Sequence, residues 1–464
     1  MMLIFLKFEG IMVYTKFEEK KMTDTLIYNK EINVRNVFQF TIPTMIRMIF
    51  ISMYSIVDGI VVSNYVGSVG LSAINIVYPV LNVCMALSFM LGTGSNAIIG
   101  KKLGEGKREE ACSFMTLTVM INVIAIIGLT VLFFMFDEQI YMMLGSDEML
   151  LPYCVEYGTI IVLGGPVWVM QVLFQNYLVT TDRPRMGMCL SIASGVLNIV
   201  LDVVLVGFGG MGLTGAAIAS VAGMIVGGIV PLTVFVNKAS LLHFEKPVWK
   251  GREFLKAMGN GSSEMVSNLA SAITTALFNL QMMAIVGEKG VAAISAILYL
   301  QFIFVAIFFG FVGGVAPLVS YNYGAKNREN IKKTFRISLQ IIIVFSIAMF
   351  TLAIVTDDFW VWIFASQDKA LAELMLPGFR IIAVSVLFTG INVFASGFFT
   401  ALNNGKVSAM ISMLRTFILE AGALILLPKY FDLAGVWWAL PVAEFLAIVV
   451  AVFMLMKYKN EYGY

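Results

Sequence analysis

Charge is what this sequence has least of for its length. Of 464 residues, 13% are Asp, Glu, Lys or Arg and 59% are hydrophobic, where a soluble domain carries about 25% charged residues. There is one histidine, and the four cysteines, Cys84, Cys112, Cys154 and Cys189, match no zinc or redox spacing. The cysteines read as small apolar residues. His243 sits in a polar loop with no other metal-ligand type clustered beside it in the sequence. No G-x-x-x-x-G-K-[ST] occurs, which removes P-loop ATP hydrolysis within the chain. The absence of H-x-x-x-D and H-E-x-x-H pairs argues against a membrane-embedded acyltransferase or protease, so no enzyme activity is expected. A net charge of +2 gives no reason to expect a nucleic-acid partner.

What the sequence has instead is long apolar runs, among them Phe114 to Met135, Ile273 to Ile285 and Leu339 to Val355. A helix needs about 20 mostly apolar residues to cross a bilayer. Division at glycine, proline and charge clusters predicts twelve spans, near 37–63, 73–99, 114–136, 155–180, 188–206, 212–236, 258–285, 293–318, 337–355, 376–400, 407–427 and 435–456. With the N-terminus placed in the cytoplasm, the five inner loops hold 17 Lys/Arg and the six outer loops hold three. That asymmetry predicts a multi-pass protein with both termini cytoplasmic. Residues 1–36 read as an N-terminal leader without a signal-peptide pattern, with Met1, Met12 and Met22 as candidate starts. Thirty methionines and 36 phenylalanines suit lipid contact, with a pliable apolar cavity as the second reading.

An internal repeat appears at an offset of 220 residues. VGSVGLSAI from Val66 matches VGEKGVAAI from Val286, Gly94 matches Gly314, and Gly104 matches Gly324. LTGAAIA from Leu213 faces LAGVWWA from Leu433. Six spans separate the copies, so both run the same way through the membrane, related by a pseudo-two-fold axis along its normal. The chain therefore divides into an N-lobe over 37–236, a basic linker over 237–256 and a C-lobe over 257–464. Two such lobes around a cleft suit alternating access, the work of a secondary transporter.

An ionisable side chain in mid-membrane is costly, so it pairs or works. Asp58 lies inside the first span, Asn198 and Asp202 lie four apart on one face of the fifth, and Ser220 lies in the sixth. Two carboxylates, an amide oxygen and a hydroxyl would suit a hard cation such as Na⁺. Paired carboxylates also raise each other's pKa, so the same groups could carry H⁺. Gln171 and Gln175, at i and i+4, either line a cavity or bond across helices. Arg415 and Glu420 could form a structural pair, and Glu264 is favoured near the start of its helix. Pro43 gives the helix of Asp58 a place to bend. At the 220-residue offset Asp58 faces Phe278 and Asp202 faces Gly422, so the chemistry does not repeat with the scaffold.

Taken together, IPTM, YSIVDGIVVSNYVG, GTGSNAIIGKKLGEG, NIVLD, GMGLTGAAIAS and VGGVAPLVSYNYGAKN resemble the multidrug and toxic compound extrusion (MATE) family over about Val37 to Met456. The resemblance implies a V-shaped pair of six-helix lobes in a bacterial cytoplasmic membrane, exporting cationic, amphipathic compounds in exchange for Na⁺ or H⁺. It places Asp58, Asn198, Asp202 and Ser220 on the cation site of the branch with an acidic N-lobe, where serine replaces a more usual threonine. It places Pro43 on a bending proline. The expected partners are the bilayer and small organic cations or amphipathic compounds, the expected state is a monomer, and no cofactor is expected beyond the coupling ion. A flippase for a lipid-linked oligosaccharide is the alternative. It would want a cationic cavity, for which only Arg47, Arg380 and Arg415 lie within spans. A major facilitator fold would want a G-x-x-x-D-R-x-G-R-R-like loop after span two, which GKKLGEGKREE lacks.

Overall fold

A computed structural model describes residues 27–366 and 368–464, with the side chains of residues 29, 55–64, 67, 68 and 71 outside that description. Apolar runs of this length satisfy their backbone groups only by bonding within the segment, and the described residues are accordingly helical almost throughout. Twelve spans are found among them. In the first lobe they are α1 (Val34–Tyr54), α2 (Ser72–Gly104), α3 (Arg108–Met143), α4 (Leu151–Leu163 with Gly165–Thr180), α5 (Pro184–Phe208) and α6 (Gly212–Phe235). The second lobe has α7 (Gly251–Ile285), α8 (Glu288–Gly324), α9 (Arg328–Val355), α10 (Lys369–Ala383 with Val386–Ala401), α11 (Gly405–Leu426) and α12 (Pro428–Tyr462). Eleven are apolar enough to be spans by composition alone. The exception, α7, is 35 residues long but diluted by Asn268, Thr274, Thr275, Asn279 and Gln281.

Some boundaries differ from expectation: α7 starts at Gly251, inside the expected linker, and α9 starts at Arg328. Instead of a turn near 64–72, α1 and α2 belong to a single helical run, Val34–Gly104, whose prolines, Pro43 and Pro79, both lie outside 64–72.

The two lobes share their irregularities. α4 bends by 49° between Leu163 and Gly165, and α10 bends by 46° between Ala383 and Val386, at equivalent places in the repeat. The fifth and eleventh spans each contain a π-helical segment, Asp202–Phe208 and Met413–Glu420. Such segments widen the i→i+4 ladder and concentrate at functional sites.

The lobes meet through small residues at the basic end. A methyl group on Gly104 of α2 would lie 1.9 Å from the carbonyl oxygen of Tyr321, and one on Gly324 of α8 would lie 1.9 Å from that of Lys101. These contacts exchange under the 220-residue offset, so the pseudo-two-fold axis passes between them. No residue with a side chain fits there. The same exchange recurs higher up, where Gly94 of α2 abuts Ala257 of α7 and Gly314 of α8 abuts Thr41 and Thr44 of α1.

A leader turn, Ile27–Asn29, closes over this seam. Tyr28 stacks on Tyr321 with ring centroids 4.3 Å apart and donates its hydroxyl to the Thr180 carbonyl at 2.8 Å. The Ile27 N–H donates to Asp182 Oδ2 at 2.9 Å. Lys102 adds ion pairs to Glu110 of α3 at 2.8 Å and to Glu253 of α7 at 3.0 Å.

Candidate cation site in the N-lobe

α5 builds the site by periodicity. Ser194, Asn198 and Asp202 recur every four residues and fall on one helical face. All three are buried, Asp202 with 0% of its surface exposed. That face meets α6 because Gly223 leaves room: a methyl there would lie 2.9 Å from the Ser194 carbonyl oxygen. Across the seam Asn198 Nδ2 donates to Ser220 Oγ at 3.4 Å, and Ser194 Oγ donates to the Gly223 carbonyl. α1 leans on the neighbouring face, where Phe50 and Tyr54 pack over Gly195.

Asp202 opens the π-helical segment. The segment closes with Gly209 N–H bonding the Val204 carbonyl at 2.8 Å, one residue beyond the α-helical register. Widening at this point sets the carboxylate off from a regular helical stack. A carboxylate there carries an insertion cost of about 3 kcal/mol at the helix centre if left charged, so a counter-charge is strongly favoured. With Asn198 Nδ2 directed at Ser220, the groups offered are oxygens, from a carboxylate, an amide carbonyl and a hydroxyl. This donor set fits a hard cation or a proton and suits a soft metal poorly. The side chain of Asp58 lies outside the description.

The two glutamines bond across helices. Gln171 Nε2 donates to Ser194 Oγ at 3.4 Å, extending the polar seam into α4. Gln175 Oε1 accepts from Arg47 Nη1 of α1 at 3.1 Å, while its Nε2 has no hydrogen-bond partner. Pro43 is buried in α1. Thr41 Oγ1 bonds the Val37 carbonyl at 2.9 Å and Thr44 Oγ1 the Thr41 carbonyl at 2.7 Å, so hydroxyls reinforce the turn that the proline weakens. The adjacent residue Met45 touches Gly310 of α8, which sets the proline beside the contact between lobes.

Three sequence readings change. Glu264, expected near the start of its helix, lies well inside α7, which begins at Gly251 and has Glu253 in its first turn. Arg415 pairs with Glu444 of α12, at 2.9 Å from Nε and 2.8 Å from Nη2, and not with Glu420. Asn392 of α10 adds a bond to Glu444 Oε2 at 2.6 Å. Nor is His243 isolated: its Nδ1 lies 3.6 Å from Cys112 Sγ and its Nε2 lies 3.4 Å from Glu245. Ser194 was missed, although its place four residues before Asn198 was the available signal.

Comparison with known proteins agrees with this architecture. The MatE family profile matches residues 43–204 and 264–423, two blocks that repeat at close to the 220-residue offset. The Multidrug export protein MepA of Staphylococcus saprophyticus subsp. saprophyticus is 24% identical over 451 residues, covering 94% of this chain and 96% of that one. MepA of Staphylococcus aureus strain N315 is 25% identical over 426 residues, covering 90% and 92%. Among solved structures, the outward-facing conformation of a multidrug resistance MATE family transporter of the MOP superfamily superposes with a TM-score of 0.87. It is 21% identical and covers 92% of this chain and 96% of its own. The chain belongs to the MatE family, as its sequence resemblance implied, and is a multi-pass membrane transporter rather than an enzyme.

Proposed function

We propose that this protein exports cationic and amphipathic compounds by antiport against Na⁺ or H⁺, with its basic end in the cytoplasm. The observation that carries the reading is Asp202, wholly buried on the α5 face that also carries Asn198, itself bonded to Ser220 of α6, while the lobes are closed at the basic end. Relatives along nearly the whole chain bear the name of multidrug export proteins, which supports the substrate class. The excess of Lys/Arg in the loops of the basic end supports the orientation.

In this cycle a cation enters from the end opposite the basic loops and settles on Asp202, with Asp58 as the second carboxylate. Neutralising the carboxylates removes their attraction for a cationic compound, which leaves outward. Pro43 sits where α1 meets α8, so a bend of α1 there would reach the contact between lobes. Opening of the basic end then exposes the lobe to new compound, and each ligand shifts the equilibrium only by its differential affinity for the two states.

The flippase reading loses support, because two of its three cations are engaged. Arg415 pairs with Glu444, and Arg380 pairs with Asp357 at 2.5 Å. The test is efflux of a fluorescent organic cation from proteoliposomes, driven separately by a Na⁺ and a pH gradient. Asp202→Asn should abolish driven efflux while the protein still inserts at normal level. Efflux at the wild-type rate would overturn the site.

A further inference from the structure

The outer wall of the C-lobe holds a groove remote from α5 and α6. α10 packs against both α9 and α12, and between those two lies a cavity of about 480 Å³. Its rim at the basic end carries Lys332 and Arg336, one turn apart on α9, and Lys459 in the last turn of α12. Among the described residues none of the three has an ion pair. The nearby acids are turned elsewhere: Glu329 pairs with Lys333 at 2.8 Å, and Glu461 lies beside Tyr323 and Tyr462. Below the rim the wall is apolar and open to the bilayer, with Ile343, Val452 and Met456 exposed by 42%, 41% and 71%. Ile343 lies roughly 16 Å along α9 from Lys332, at 1.5 Å per residue.

The repeat shows what such a groove does when protein fills it. At the 220-residue offset Lys332 corresponds to Cys112, Arg336 to Thr116 and Tyr464 to Phe244. Phe244 packs on Phe174 and Phe235, much as Tyr464 packs on Phe335 and Phe398. Beyond Phe244 the linker between lobes runs over α3. Glu245 N–H donates to Thr116 Oγ1 at 3.0 Å, Ser113 Oγ donates to the Lys246 carbonyl at 2.9 Å, and Val248 N–H returns to Ser113 Oγ at 3.0 Å. The N-lobe shelf is covered by polypeptide. The corresponding C-lobe positions carry two cations where the N-lobe has Cys112 and Thr116.

We propose that this groove binds an anionic glycerophospholipid of the leaflet at the basic end. Its phosphate is held by Lys332, Arg336 and Lys459, and an acyl chain lies along Ile343, Val452 and Met456. A guanidinium and two ammonium groups match phosphate in charge and hydrogen-bond geometry, and basic pockets between transmembrane helices take such headgroups. The bound lipid bridges α9 and α12 as the linker bridges α3 and α6.

The experiment is native mass spectrometry of the purified full chain, titrated with phosphatidylglycerol or phosphatidylcholine of identical acyl chains. The wild type should retain phosphatidylglycerol on the order of ten-fold better, and phosphatidylglycerol should raise its Tm in detergent. The combined variant Lys332→Gln, Arg336→Gln, Lys459→Gln should lose both effects. Lys326→Gln with Lys406→Gln, exposed at the same end but outside the groove, should keep them. Should the triple variant not fold, Arg336→Gln alone should weaken retention and Arg336→Lys should recover part of it. Equal retention of the two lipids by the wild type, an unchanged triple variant, or displacement of the lipid by inorganic phosphate would each overturn the assignment.

Discussion

Arg415 and Glu444 meet inside the C-lobe with 14% and 3% of their side chains exposed. Losing one partner of such a pair strands a charge in a medium that solvates it poorly, at a cost of about 3–5 kcal/mol. Arg415→Leu alone should therefore lower Tm in detergent strongly, and Arg415→Leu with Glu444→Leu should recover much of the loss, measured as a double-mutant cycle. In the N-lobe, Asn198→Ala and Ser220→Ala each remove one oxygen donor from the proposed cation site. Each should weaken the coupling ion's half-saturation concentration in driven efflux by about ten-fold, one lost charge-assisted contact, while leaving insertion unchanged. The burial of Asp202 was legible in the sequence, because a carboxylate placed within an apolar run is carried inside with it. The partner of Arg415 was not: Glu420 is five residues away along the chain, yet Glu444 is the one that tertiary packing brings within hydrogen-bond distance.

Helices made mostly of the same residue types differ in how they are interrupted. The break in α4 falls at Gly164 with Pro166 just after it, a signal the sequence carries. The matching bend of α10 falls at Val384 and Ser385, where no helix breaker marks it. The lobe's shared shape imposes the second bend. α2 and α8 are fitted to one another at their basic ends through Gly104 and Gly324. Gly104→Leu or Gly324→Leu should hold that end apart, seen as a longer distance between spin labels on the two lobes and as loss of driven efflux. Tyr28→Ala removes the stack on Tyr321 and the bond to Thr180. It should shift the same distance distribution toward the separated state by less than the glycine variants do, because the glycine seam itself remains.

Across the molecule, the repeat at 220 residues fixes a near-symmetric frame in which each lobe offers the other the same contact surface. Function breaks that symmetry. The N-lobe buries Asp202 on the α5 face that carries Ser194 and Asn198, whereas the C-lobe buries a neutralising Arg415–Glu444 pair and carries a basic outer groove. The sequence by itself determined the membrane class, the twelve spans, the two-lobe repeat and the acids that fall within apolar runs. Those follow from hydropathy and periodicity, which act on residues near in the chain. Only the tertiary structure decided which polar groups meet, that His243 lies against Cys112, that the glycines form the seam between lobes, and that Lys332, Arg336 and Lys459 line one groove. These depend on contacts between different helices, 22 positions apart for Asn198 and Ser220, 29 for Arg415 and Glu444 and 131 for Cys112 and His243, and packing selects such contacts by shape and by the need to satisfy buried polar groups, neither of which leaves a periodic mark in the chain.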